Sequence, residues 1–168
     1  TEYTVPVSLC AVTTDHTVVT CKTIKGAGKG MKWFVTIDGQ ESITPSTWYS
    51  PPEITSIEGP VTLSSLGGEV LRLKGTNFGP SPRDNAIKIS PVTGKPFLEG
   101  LSYGPNAMQY AGAECEVTTS STEITCKTIP GVGSDLKWVV TVEGQTSLGF
   151  PWGTYERPKI VTAEPLKG

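Results

Sequence analysis

Apolar and polar residues alternate along the chain in short runs, and Gly or Pro ends each run within 8–15 residues. No window keeps an apolar stripe at helical spacing for three turns, so the pattern predicts strands joined by turns. Ile54 to Ile57 reads as one strand. Val70 to Lys74 reads as a second, with Leu71 and Leu73 on one face and Arg72 and Lys74 on the other. Ala86 to Ser90 reads as a third. Glu114 to Thr118 and Glu123 to Thr128 pair around Ser120-Ser121. The longest run, Leu136 to Glu143, places Trp138, Val140 and Val142 on a common face. Glu143-Gly144-Gln145 and Asp38-Gly39-Gln40 carry the residues of tight hairpin turns.

The chain is self-similar. Residues 10–42 and 115–147 align without a gap at an offset of 105, with 19 of 33 positions identical. Chance does not produce that match, so the two segments are expected to share one structure. Pro52-Glu53-Ile54-Thr55 is echoed more faintly by Pro158-Lys159-Ile160-Val161. This phase predicts the C-terminal part of one unit over residues 1–50, a complete unit over 51–156 and the first strand of another over 157–168. The expectation is a window on a longer tandem array. About seven strands in a unit of about 105 residues fit an all-β, immunoglobulin-like sandwich.

Composition narrows the function classes. The chain has 168 residues, 14 Lys+Arg against 16 Asp+Glu, and 23 Thr, a residue that favours strands. With a net charge of −2 and scattered cations it lacks an electrostatic footprint for nucleic acid. No stretch approaches the roughly 20 apolar residues of a membrane helix, so no membrane contact is expected in this segment.

The four cysteines form two pairs, each with ten intervening residues centred on a predicted turn, Asp15-His16 or Ser120-Ser121. Strands closed by such a turn bring Cys10 opposite Cys21 and Cys115 opposite Cys126, at disulfide distance. Two other readings stand beside this one: four reduced core thiols in a cytosolic protein, or half of a zinc site. Zinc sites prefer closer cysteine spacing and need four ligands. Disulfides imply an extracellular, lumenal or cell-surface location.

The unit opens Pro52-Glu53-Ile54-Thr55-Ser56-Ile57, continues through Gly67-Gly68 and Leu71-Arg72-Leu73, and reaches Gly75-Thr76-Asn77-Phe78-Gly79. It then runs through Cys115 and Cys126-Lys127-Thr128 to a Trp/Val strand ending at Gly144. This sequence resembles the IPT/TIG repeat, the immunoglobulin-like fold of plexins and some transcription factors. Paired cysteines in a long array are similar to fibrocystin-like surface proteins and to protist and algal IPT arrays. One departure stands out. The resemblance implies a short connection from the third strand to the first cysteine, but 26 positions separate Ile89 from Cys115. Residues at about 91–113 therefore read as an inserted loop. Its Phe97, Leu98, Tyr103, Met108 and Tyr110 are expected either to fold back over a sheet edge or to dock on a neighbouring chain or unit.

Candidate chemistry is sparse. Gly26-Ala27-Gly28-Lys29-Gly30 looks like a phosphate cradle, but Met31 follows where Ser or Thr is needed, and the other copy lacks the Lys. The carboxylates form no metal or glycosidase pattern. His16 is the only histidine, and its counterpart is Ser121. Hence no catalytic residue, metal or cofactor is expected. Trp33 and Trp138 read as core aromatics, with sugar stacking as the rival role. Trp48 and Trp152, beside Pro51 and Pro151, are candidates for packing between units. There is no N-glycosylation sequon. The Ser/Thr/Pro-rich stretches at 44–47, 50–52 and 80–82 read as stiff connectors, with O-linked sugars or hydroxyproline as the alternative.

The functional expectation is a non-enzymatic structural module. Units joined directly at Pro51-Pro52 and Arg157-Pro158 would make a semi-rigid rod or filament, such as a flagellar hair (mastigoneme), or an adhesin-like stalk. Its partners would be proteins, either neighbouring repeats or copies of itself. The alternative is a ligand-binding ectodomain of a plexin-like or fibrocystin-like receptor. A third reading is a glycan-binding accessory module.

Overall fold

The computed structural model describes residues 3–43, 45–84, 90 and 93–164. A single 3-10 turn, Val7–Leu9, precedes β1 (Cys10–Thr14) and β2 (Val18–Cys21). Four two-residue strands follow: β3 (Met31–Lys32), β4 (Thr36–Ile37), β5 (Gln40–Glu41) and β6 (Ser46–Thr47). The fuller unit then contains β7 (Glu53–Glu58), β8 (Thr62–Leu63), β9 (Val70–Thr76), β10 (Leu98–Gly104), β11 (Tyr110–Ala111), β12 (Ala113–Thr119) and β13 (Glu123–Lys127). It closes with β14 (Lys137–Val142), β15 (Gln145–Thr146), β16 (Phe150–Pro151) and β17 (Thr154–Tyr155). Among the described residues no helix is long and apolar enough to cross a membrane.

Two larger sheets build the fuller unit, and β8 and β17 pair in parallel as a separate two-stranded sheet. One has the order β12-β13-β9-β7; the other runs β11-β10-β14-β15, with β16 also pairing β14. Alternation along each strand turns one row of side chains inward. Leu71, Leu73, Val117 and Ile124 come from the first sheet; Leu101, Tyr103, Trp138, Val140 and Val142 come from the second. Tyr103 stacks on Trp138, with ring centroids 4.2 Å apart and planes within 6°. The expected inward faces of β9 and β14 are the observed ones. Gly75 of β9 pairs with Ile54 of β7, and a Cβ there would collide with the Glu53 carbonyl oxygen, so only glycine fits.

Both cysteine pairs are disulfides, Cys10–Cys21 and Cys115–Cys126, with Cα separations of 4.0 and 4.2 Å. There are no free cysteines among the described residues. The reduced-thiol and zinc readings therefore fall away.

The segment read as an inserted loop at 91–113 is the main correction. Its residues supply β10 and β11, and β10 lies inside the second sheet, between β11 and β14. Leu101 pairs with Val140 and Tyr103 with Trp138. The strand was hard to see because Leu98-Glu99-Gly100-Leu101-Ser102-Tyr103-Gly104 carries two glycines and a glutamate, all poor strand formers. Pairing with β14 and burial of Tyr103 outweigh that local preference. Of the third expected strand, residues 86–89 lie outside the described residues, and Ser90 belongs to no strand.

Residues 3–50 reproduce the local geometry of the corresponding stretch of the fuller unit. Cys10 faces Cys21 across β1 and β2. Lys32 faces Ser46, as Lys137 faces Pro151, 105 positions on. The Val35 amide donates to Ser42 Oγ at 3.1 Å and the Val140 amide to Ser147 Oγ at 3.0 Å. Asp38-Gly39 and Glu143-Gly144 take positive φ at both positions (49° and 77°; 47° and 68°), as two-residue hairpin turns require.

Candidate functional site

The most elaborate polar geometry lies at the two ends of the fuller unit. At one end, a glycine-rich loop at 129–133 is tied down by tyrosines. Tyr155 donates its hydroxyl to the Ile129 carbonyl at 2.7 Å and shares a 2.9 Å hydrogen bond with Tyr103, whose hydroxyl accepts the Ile129 amide at 2.9 Å. Tyr110 donates to the Val132 carbonyl at 2.8 Å and accepts the Val132 amide at 3.0 Å. The Tyr155 amide donates to the Gly133 carbonyl at 2.8 Å. A Cβ at Gly131 would come within 2.7 Å of the Tyr155 ring, so glycine lets the ring lie against the backbone. Burial, then the bond to Tyr103, pushes the Tyr155 hydroxyl far above its ordinary pKa.

The earlier segment carries the same device. Tyr49 donates its hydroxyl to the Ile24 carbonyl at 2.9 Å, and its amide donates to the Gly28 carbonyl at 2.9 Å. Tyr3 makes paired contacts of 3.4 Å with the backbone of Ala27. The edge-on ring pairs also match, Tyr3 with Tyr49 and Tyr110 with Tyr155. Burial raises the hydroxyl pKa of Tyr3 and of Tyr49.

At the other end of the fuller unit, this first loop is seated against the unit. Gln145 Nε2 donates to the Tyr49 carbonyl at 2.9 Å. Glu143, in the hairpin turn, is buried and accepts a 2.9 Å hydrogen bond from Thr93 Oγ1. A Cβ at Gly28 would lie 3.3 Å from Glu143 Cβ, which places the loop directly over that turn. Lys25 lies 3.8 Å from Asp84, an exposed pair worth little on its own. The connector is held as well: Asn77, in the left-handed region at φ 60°, donates from Nδ2 to the Pro51 carbonyl at 3.0 Å. The Gly-Thr-Asn-Phe-Gly turn thereby clamps the entry to its own unit. It is braced by the Ser121 hairpin tip, whose amide donates to the Gly79 carbonyl at 2.7 Å.

The expected interface residues divide. Phe97, just before β10, and Tyr103, on its inward face, are core, at 3% and 0% exposure. Leu98, Tyr110 and Trp152 are half-buried and packed on that core. Trp152 meets Trp138 edge-on, within its own unit rather than between units, and its carbonyl accepts Trp138 Nε1 at 2.6 Å. Met108 and Trp48 are exposed. Trp138 is fully buried, which leaves no face for sugar stacking.

Sequence reasoning missed Glu143, Gln145, Thr93, Tyr49 and Asn77 as junction residues. A signal existed for the tyrosines. Tyr49 and Tyr155 are 106 apart and Tyr3 and Tyr110 are 107 apart, so an ungapped offset of 105 passes over both pairs. Among the described residues no group of three His, Cys, Asp or Glu side chains could hold a metal ion. Two shallow surface depressions lie over Cys10 and Cys21 and over Gly100 and Thr141. Neither brings an acid, a base and a nucleophile together.

The profile of the IPT/TIG domain matches residues 52–155. No curated protein and no solved structure matches the chain.

Proposed function

The chain belongs to the IPT/TIG family, and from that premise we propose that it is a non-enzymatic structural segment in which such units follow one another in tandem as a semi-rigid extracellular rod or filament. The observation that carries this reading is the junction. The tyrosine-anchored loop of the earlier segment rests on the Glu143 turn, the connector carbonyl of Pro51 is clamped by Asn77, and Gln145 bonds the Tyr49 carbonyl. A freely hinged pair of modules would not need two ties between the segments and a third that fixes the connector itself. The 105-residue offset supports repetition of the same joint. Two disulfides support an oxidising compartment. Its contacts would then be with neighbouring units or with other copies of itself. Rotary-shadowed electron microscopy of the intact parent polypeptide tests the proposal. Straight, evenly beaded rods are expected; loosely jointed globules would overturn it.

A further inference from the structure

The two glycine loops share a construction but differ in cover. Ala27, in the first loop, is 4% exposed, whereas its counterpart Val132 is 66% exposed. Gly28 is buried and its counterpart Gly133 is exposed. The first loop is covered where it meets the Glu143 turn; the second has no such neighbour among the described residues. Around Val132 the exposed apolar surface continues through Leu66 and Val61. Both belong to the same end of the unit: the Gly131 amide donates to the Ser65 carbonyl at 3.1 Å and the Thr154 amide to the Val61 carbonyl at 3.0 Å.

We propose that the Gly131–Gly133 loop, with Tyr155 and the Val61–Leu66–Val132 patch, is a docking end for the Glu143 end of another copy of this unit. The argument is continuity with the junction already present in the chain. The backbone of the loop is held in the same conformation by equivalent tyrosines in both copies, and Gly28 and Gly133 have similar φ, 107° and 121°. The surface that Glu143 and Gln145 recognise is therefore preformed at the second loop. By equivalence, the incoming Gln145 amide would donate to the Tyr155 carbonyl, as it now does to that of Tyr49. One contact is not carried over: Pro130 stands where Lys25 does, so the ion pair to Asp84 has no counterpart. Valine in place of alanine, together with Leu66 and Val61, makes this second dock more apolar.

The inference rests on the tandem reading, and its test separates the two. In a chain extended by repeating residues 51–156 after Glu156, hydrogen exchange over residues 130–134 is expected to slow about tenfold or more against the present chain. Val132→Asp should restore fast exchange in the extended chain. It should leave the melting of the present chain unchanged, because Val132 is exposed there. Exchange at 130–134 that does not respond to the added unit, or protection that ignores Val132→Asp, would overturn the docking end. Straight rods with an unprotected loop would sink this inference alone. A protected loop in a parent polypeptide that forms no rods would sink the rod reading alone.

Discussion

Residues 3–50 and the matching back half of the fuller unit share 19 of 33 aligned positions over 10–42 and the same local geometry, yet they differ in burial. Ile37 is 65% exposed and its counterpart Val142 is 1% exposed. Val12, Val19 and Val35 are exposed, whereas Val117, Ile124 and Val140 are buried. The difference is the presence of β7, β9 and β10, which close over the second copy. Hairpin register, the disulfide and the two-residue turn form without that cover, because each depends on residues close in sequence or on a crosslink; the tyrosine-tied loop forms without it too, through hydrogen bonds that Tyr3 and Tyr49 make to backbone 24 and 25 positions away. A core does not, because apolar faces gain from burial only when a second layer excludes water. The two segments thus separate what local chemistry specifies from what layer-on-layer packing supplies.

Paired substitutions test that separation. The largest contrast is expected at the equivalent tryptophans. Trp138→Ala should lower stability by about 3–5 kcal/mol in urea unfolding, the range for deleting a buried large aromatic. Trp33→Ala, at a half-buried site, should cost less than about 1.5 kcal/mol by the same area reasoning. Equal losses would mean that the first segment has its own core. Next come the disulfides. Replacing Cys115 and Cys126 together by Ala should remove about 2–3 kcal/mol from the main transition, as expected for closing so short a loop. Replacing Cys10 and Cys21 should leave that transition in place and speed exchange only in the first hairpin, read by mass spectrometry.

A smaller effect is expected at the anchoring tyrosines. Tyr155→Phe should cost about 1–2 kcal/mol through its lost hydrogen bonds, with the Ile129 carbonyl giving up a donor. The pH dependence has a definite sign. The Tyr155 hydroxyl is raised, chiefly by burial, so its protonated form is favoured in the fold. That stability is complete below about pH 10 and is lost as pH rises further, because the unfolded chain ionises first. Melting temperatures of the parent protein should therefore fall above that pH, and Tyr155→Phe should flatten the alkaline limb. The smallest effect is at the junction. Gln145→Ala should change global stability by no more than about 0.5–1 kcal/mol, but should raise interunit mobility in solution scattering. A scattering profile indistinguishable from that of the parent would show that the joint does not depend on this bond.

Period-two alternation was enough to assign Leu71, Leu73, Trp138, Val140 and Val142 to the core, and cysteine spacing about a turn was enough to pair the sulfurs. The repeat itself identified the equivalent turns at Asp38 and Glu143. Each of these rests on near neighbours in the chain, where backbone geometry leaves few alternatives. Other features were decided only in three dimensions. The β10 strand, with its two glycines, is selected by pairing with β14 and by the stacking of Tyr103 on Trp138. The burial of Glu143 and the seating of the Tyr49 loop on its turn join residues about a hundred positions apart. Alternation and spacing in the sequence determined the strands, turns and crosslinks because these are local. Which faces lie under a second layer, and which loop meets which turn, was decided by tertiary packing, because only the assembled sheets determine where water is excluded.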